Sequence, residues 1–263
     1  MRSSIAVIAV ASAIAFTQIA SAADLPRKAL PAPPPPPPVF SWTGFYIGGH
    51  FGGGWSSGSV TGNPLPDPVS YGFVPINIDT DGSGVVGGGQ IGFNWQVTPF
   101  FLLGIEGDFS ASGIKGDGKF GPPIPSIPPG QGYEAGSFGI ASRDVDRMAS
   151  VRGRVGVTWD RLLAYATGGV AWAHIEYSAD EIFLTGVSNP GSLSSTKTGW
   201  VAGVGLEYAW TNNWLIRVEY LHYEFDGVSF AGNRVPTLPT FGVQYNTEDT
   251  KIDVVRAGIN YKF

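Results

Sequence analysis

The stretch "TGWVAGVGLEYAWTNNWLIRVEYLHYEF" (198–225) contains two candidate strands and the reversal between them. In its first half Trp200, Ala202, Val204, Leu206, Tyr208 and Trp210 take the even positions, and Glu207 falls among the odd ones. In its second half Trp214, Ile216, Val218 and Tyr220 are even again, while Arg217 and Glu219 point the other way. A period of two belongs to a β-strand, whose successive side chains alternate between faces. "MASVRGRVGVTW" (148–159) repeats the pattern, with Val151, Val155, Val157 and Trp159 opposed to Ser150, Arg152 and Arg154.

Eight segments read this way, at about 44–55, 84–96, 100–111, 144–159, 162–177, 197–210, 213–225 and 249–263. The fifth, rich in Gly and Ala, leaves its two faces unassigned. Three connections are very short: Thr98-Pro99, Asp160-Arg161 and Thr211-Asn212. Four are long, roughly 56–83, 112–143, 178–196 and 226–248, and rich in Gly, Pro, Ser and Asp. Short and long take strict turns, as an up-and-down antiparallel sheet requires when one rim carries turns and the other carries loops.

The segments exceed ordinary strand length, and about 9–11 tilted residues cross a bilayer. One face is apolar, with Trp55, Trp95, Trp159, Trp210 and Trp214 near segment ends, where an aromatic girdle would meet the membrane interfaces. The other face collects Gln90, Asn94, Glu106, Asp108, Arg152, Arg154, Glu207, Arg217, Glu219, Arg256 and Asn260. In hydrocarbon each unpaired backbone group costs several kcal/mol, so the sheet must close. An eight-stranded barrel is just wide enough for side chains to fill. The inner face then holds four acids (Glu106, Asp108, Glu207, Glu219) and four arginines (Arg152, Arg154, Arg217, Arg256), which predicts mutual pairing and a plugged lumen. A narrow polar path for small solutes or ions is the alternative. Gly48, Gly52, Gly88, Gly92, Gly203 and Gly205 are expected to make room for the long side chains or to ease curvature.

Only 14% of the 263 residues are charged, Cys is absent, and a net charge of −5 without a basic block argues against nucleic acid as a partner. Residues 1–22 read as a secretory signal peptide, with Arg2, an apolar Ile5–Phe16 run and the small residues Ala20-Ser21-Ala22. Residues 23–40 follow as a Pro-rich periplasmic linker whose run Pro33 to Pro38 favours an extended polyproline rod. At about 3.1 Å per residue it could reach roughly 50 Å, which reads first as a spacer and alternatively as a tether toward something beyond the barrel, with peptidoglycan the partner it could touch. Residues 41–263 form the barrel, all-β and antiparallel, with short periplasmic turns and long extracellular loops.

"WTGFYIGGHFGGGW" (42–55), "GGGQIGFNWQ" (87–96), "LLGIEGDFSASG" (102–113), "VRGRVGVTWDRLLAYATGGVAW" (151–172) and the segment quoted first resemble, in order, the outer-membrane immunogenic proteins of alphaproteobacteria. These are porin-like eight-stranded outer-membrane β-barrels. The resemblance implies a Gram-negative outer-membrane location with both termini periplasmic, a structural role in the envelope, exposed loops open to recognition, and no enzymatic residues or cofactor. It also implies contact with outer-membrane lipids, lipopolysaccharide among them, and with the barrel assembly machinery. The last residues, "VVRAGINYKF" (254–263), place Ile259, Tyr261 and Phe263 on one face and resemble the C-terminal signal that such barrels present to that machinery.

Three further motifs fail on context. "GWSSG" (54–58) fits the nucleophile-elbow pattern, but a strand runs into a loop there with no helix following. "GSGVVG" (82–87) enters a strand where a phosphate site needs a helix N-terminus. "DTDGSG" (79–84) lacks the remaining oxygen ligands of a calcium loop and reads as an Asp-capped turn. His50, His174 and His222 are far apart with no ligand spacing, so no metal site is expected.

Overall fold

A computed structural model describes residues 40–65, 76–120, 138–182, 188–232 and 242–263. The expected signal peptide and all of the linker except Phe40 lie outside these residues. The strands are β1 (Gly44–Ser57), β2 (Ser59–Leu65), β3 (Ile76–Asp79), β4 (Gly82–Thr98), β5 (Phe101–Phe120), β6 (Phe138–Trp159), β7 (Leu162–Ile182), β8 (Gly191–Ala209), β9 (Trp214–Phe225), β10 (Ser229–Ala231), β11 (Gly242–Thr247) and β12 (Thr250–Lys262). Eight of them close an antiparallel barrel in the order β1-β12-β9-β8-β7-β6-β5-β4. The seam between β1 and β12 runs unbroken from Tyr46 opposite Lys262 to Ser57 opposite Lys251.

The tight turns share one rim. Asp160 carries a φ of 50°, a left-handed conformation that Asp tolerates, and this allows β6 to reverse into β7 within two residues. Between β8 and β9 the Thr211 hydroxyl accepts from the backbone amides of Asn213 (3.2 Å) and Trp214 (2.9 Å).

On the outer wall Phe45, Phe51, Ile91, Ile105, Phe109, Leu206, Val218 and Ile259 are exposed, a surface that suits lipid rather than water. Trp95, Trp159, Trp210 and Trp214 lie near the tight-turn rim, while Trp55 lies at the far end of β1. Trp172 and Trp200 are also exposed on the outer wall toward that far end, so the girdle has members beyond the five assigned from sequence.

Beyond that upper ring the pattern inverts. On β5, Ile114 is buried while Lys115, Asp117 and Lys119 are exposed; on β7, Ile175 and Tyr177 are buried between the exposed Glu176 and the outward Ser178. Apolar side chains now point inward, as in a sheet surrounded by water. The change coincides with irregularities in register, between Ala111 and Ile114 on β5 and between Val145 and Arg147 on β6. On β6 the extra residue, Asp146, switches the inward positions from Ser150 and Met148 to Val145 and Arg143.

This inversion corrects the segment bounds and loops expected from sequence. The third and fourth segments run to Phe120 and back to Phe138, well into the expected loop 112–143. The expected loops 56–83 and 226–248 contain β2, β3, β10 and β11, which form a second sheet in the order β10-β11-β2-β3. That order repeats β9-β12-β1-β4, so each short strand continues a barrel strand after a break at Gly58, Thr80–Asp81, Asp226–Val228 or Glu248–Asp249. From it Val60, Ile78, Phe230, Val243 and Tyr245 are buried in one apolar cluster with Ile114, Val145, Ile175 and Tyr177 of the barrel. Each fully buried side chain of this size contributes about 1.5–3 kcal/mol.

Two of the glycines expected to make room stand against tyrosine rings. A Cβ on Gly92 would collide with the Tyr46 hydroxyl end, and one on Gly205 would collide with the Tyr165 ring. At Gly52 and Gly88 the obstruction is instead the backbone of the neighbouring strand.

Val218 lies midway along the lipid-facing side of β9, between Trp214 and Glu224. Val218→Arg should destabilise the barrel by about 2–4 kcal/mol in reversible unfolding from phospholipid vesicles. A change below about 0.5 kcal/mol would mean that this wall faces water.

Candidate functional site: the charged interior

Between the tight-turn rim and the apolar upper cluster, all eight barrel strands send a polar side chain inward. These are Tyr46 and His50 from β1, Gln90 from β4, Glu106 and Asp108 from β5, Arg152 and Arg154 from β6, Tyr165 from β7, Glu207 from β8, Arg217 and Glu219 from β9, and Arg256 and Asn260 from β12. Each is buried.

The four acids and four arginines fall into one connected set. Glu106 is its hub. It accepts from Arg152 Nη2 at 2.5 Å, from Arg217 Nη1 at 2.6 Å and from the Tyr46 hydroxyl at 2.6 Å. Arg154 donates to that same hydroxyl at 2.8 Å and to Glu207 Oε2 at 2.8 Å. Arg152 Nη1 reaches Glu219 at 3.0 Å, and Arg256 Nε reaches its other oxygen at 2.9 Å. Arg256 Nη1 closes the circuit on Asp108 at 3.0 Å, and Asp108 also accepts from Ser150. Charge sums to zero, and most carboxylate oxygens have a donor within hydrogen-bond reach. That is the arrangement in which a buried ion pair can offset its own desolvation.

Neutral groups extend the set on one side. His50 contacts Gln90 Oε1 at 2.5 Å, Ser110 Oγ at 2.8 Å and Arg256 Nη1 at 3.2 Å. Gln90 donates to Asn260, and Asn260 donates to Glu207 at 2.8 Å. Tyr165 donates to Glu219 at 3.0 Å, and its ring lies under the Arg154 guanidinium at 3.9 Å. Tyr46 and Tyr165 were not singled out from sequence. Tyr46 was legible, since it alternates with the outward Phe45 and Ile47; Tyr165 was not, because its Gly/Ala-rich segment gave no phase.

Below the charges, Trp42 is wholly buried with Leu102, Leu163 and Leu215. Its indole donates to the Asp160 carbonyl at 3.0 Å, and its backbone amide donates to Gln96 Oε1 at 3.0 Å. Phe40 packs edge-on against Trp42, with centroids 5.1 Å apart, and sits near both Arg161 and Lys262. Phe40 thus packs with the barrel residues in one compact unit, Phe40–Phe263.

The remaining expected sites are placed as follows. Ile259, Tyr261 and Phe263 are outward, Tyr261 touches Trp214 and Phe263 edge-on, and the Phe263 amide donates to the Phe45 carbonyl at 3.0 Å. Ser56 of "GWSSG" is buried on β1, and among the described residues its hydroxyl has no hydrogen-bond partner. In "DTDGSG", Asp81 accepts from the Gly58 amide at 3.4 Å and Thr80 donates to the Gly58 carbonyl at 3.0 Å.

Residues 8–263 match the family model described as outer membrane protein beta-barrel domain. The chain belongs to the outer-membrane β-barrel family. It is 33% identical over 261 residues to the 31 kDa outer-membrane immunogenic protein of Brucella melitensis, covering 98% of this chain and 99% of that one. Identity to the 25 kDa outer-membrane immunogenic protein of Brucella abortus is 29% over 263 residues, covering 98% and 97%. Identity to the 22 kDa outer membrane protein of Rhizobium leguminosarum is 30% over 200 residues, covering 73% and 71%. The exposed apolar wall of this outer-membrane barrel is accordingly its lipid face, and the charged set lies at membrane depth.

Glu106→Gln removes the carboxylate shared by Arg152 and Arg217 and leaves uncompensated positive charge inside. The expected loss is about 3–5 kcal/mol. It should appear as a lower temperature for the conversion from folded to unfolded mobility on detergent gels. An unchanged transition would contradict the hub role of Glu106.

Proposed function

We propose that this protein is a structural outer-membrane barrel with a closed interior, supporting the envelope and presenting its long rim to the outside. One observation carries the reading. The interior charges are mutually neutralised, and they lie between an apolar floor around Trp42 and an apolar cap built from β2, β3, β10 and β11. A hydrated ion crossing it would have to break pairs that are costly to separate at low dielectric. The tight turns, Phe40 at the start of the described barrel residues and the C-terminal Phe263 then face the periplasm, and peptidoglycan is the partner proposed for the Pro-rich segment of the sequence. The outer wall meets membrane lipid, and the polar upper extensions stand at the level of lipopolysaccharide. Ile259, Tyr261 and Phe263 serve as the signal read by the assembly machinery.

A narrow channel is the second reading, and a specific observation favours it. Among the described residues, the buried Asn94 amide and Nε of Arg152, Arg154 and Arg217 have no protein partner. Buried polar atoms of this kind are usually held by water, so the lower interior has the polarity for it. Planar-bilayer recording of the pure refolded protein separates the readings. The closed-barrel reading expects no reproducible open-channel steps, whereas steps that change in Arg152→Ala or Glu219→Ala would establish the channel.

The orientation has its own test, which the absence of Cys makes clean. Ser192→Cys at the long rim should react with a membrane-impermeant maleimide on intact cells. Asn212→Cys in the β8–β9 turn should react only after the outer membrane is broken. The opposite pattern would invert the barrel.

A further inference from the structure

Strand pairing on the outer wall of β6, β7 and β8 brings together side chains that the sequence keeps far apart. His174 and Glu176 are outward neighbours on β7, two and four residues beyond the interfacial Trp172. Asp146 comes from the adjacent strand, where it is the extra residue of the β6 irregularity between Val145 and Arg147. A bulge of this kind re-aims a side chain, and here it places Asp146 beside His174. One ligand atom from each of the three residues lies within 4.8 Å of the others. Ligands about 2.1 Å from a tetrahedral ion stand roughly 3.4 Å apart, so small rotations of two exposed carboxylates complete the convergence.

We propose that Asp146, His174 and Glu176 bind a divalent transition-metal ion of the Zn2+ class. The donor set decides the class, because an imidazole with two carboxylates suits such an ion better than Mg2+ or Ca2+, which prefer all-oxygen shells. The surroundings of the histidine match a ligand role. Thr196 lies directly opposite His174 on β8, and its hydroxyl is 3.3 Å from Nδ1. With Nδ1 protonated and held there, Nε2 is left as the metal-facing nitrogen, the usual outer-shell device for fixing a ligating imidazole. Nε2 is also the atom nearest Glu176, at 4.0 Å from Oε1, with the Ser194 hydroxyl 3.1 Å away.

The Lys115 ammonium is held chiefly by the neighbouring Asp144 at 3.1 Å, with Asp146 acting on it only as a weaker, longer-range charge. The other two histidines lack this company. His50 is enclosed in the charged interior, and His222 shares the single carboxylate of Asp253 with Tyr220. Three protein ligands leave a coordination position open to the outside, since Asp146 and Glu176 are both exposed.

The test is a calorimetric titration of Zn2+ into the refolded full chain in detergent, with gel mobility confirming that each variant is folded. The wild type should bind one Zn2+ per chain with millimolar Mg2+ present. His174→Ala should weaken binding by at least about tenfold, and Asp146→Asn should weaken it in the same direction. Thr196→Val, which keeps all three ligands, should weaken it by roughly tenfold, the lower end of the range for losing an outer-shell partner. His222→Ala should leave it unchanged. Absence of binding by the wild type, equal binding by His174→Ala, or loss confined to His222→Ala would overturn the proposal.

Discussion

Hydrocarbon offers a backbone amide no alternative partner, and the rest of this structure follows from that. A sheet placed there must close, and closing eight strands leaves an interior with space for side chains but little more. Alternation then sends half of every strand's residues inward. Because the outward half must be apolar, polar and charged residues collect inside, where isolation would be far costlier than pairing. The hub at Glu106 and the contacts Arg152–Glu219, Arg154–Glu207 and Arg256–Asp108 are the solution this sequence reaches. Every barrel strand contributes to it, so the interior ties together strands that are not neighbours in the ring.

The same rule explains why the molecule changes character along its axis. Past the ring marked by Trp55, Trp172 and Trp200 the two faces exchange chemistry, outward positions becoming polar and inward ones apolar, while β5 and β7 keep their phase. Lys115, Asp117 and Lys119 turn outward, and Ile114 turns inward. Without a lipid requirement four strands break, continue as a small second sheet, and bury Val60, Ile78, Phe230, Val243 and Tyr245 against the barrel extensions. One chain thus combines a barrel whose interior is polar with a water-facing extension whose interior is apolar.

That division also governs what could be read from the sequence. The strand pattern, the ring and the inward placement of Arg217 and Glu219 were legible because lipid demands a clean apolar face. Above the girdle the demand reverses, and on β6 the bulge at Asp146 shifts the phase, so a single alternation template loses the strands there. Residues 112–120 and 138–143 therefore look like loop although they are strand. Trp42 was hidden for a different reason. Its neighbours in sequence resemble the start of the first strand, while its burial depends on Leu102, Leu163 and Leu215, each from another strand. The grouping of His174 with Asp146 depends on cross-strand register, which no local spacing records.

A closed interior requires its charges to be paired at low dielectric rather than screened by bulk-like water. A double-mutant cycle on Arg154 and Glu207, whose contact is 2.8 Å, measures this directly when each is replaced by Gln in turn and together. A closed interior predicts a coupling energy above about 1.5 kcal/mol, as found for close desolvated charge pairs. A coupling below about 0.5 kcal/mol, typical of pairs exposed to solvent, would contradict it and identify the interior as an aqueous passage.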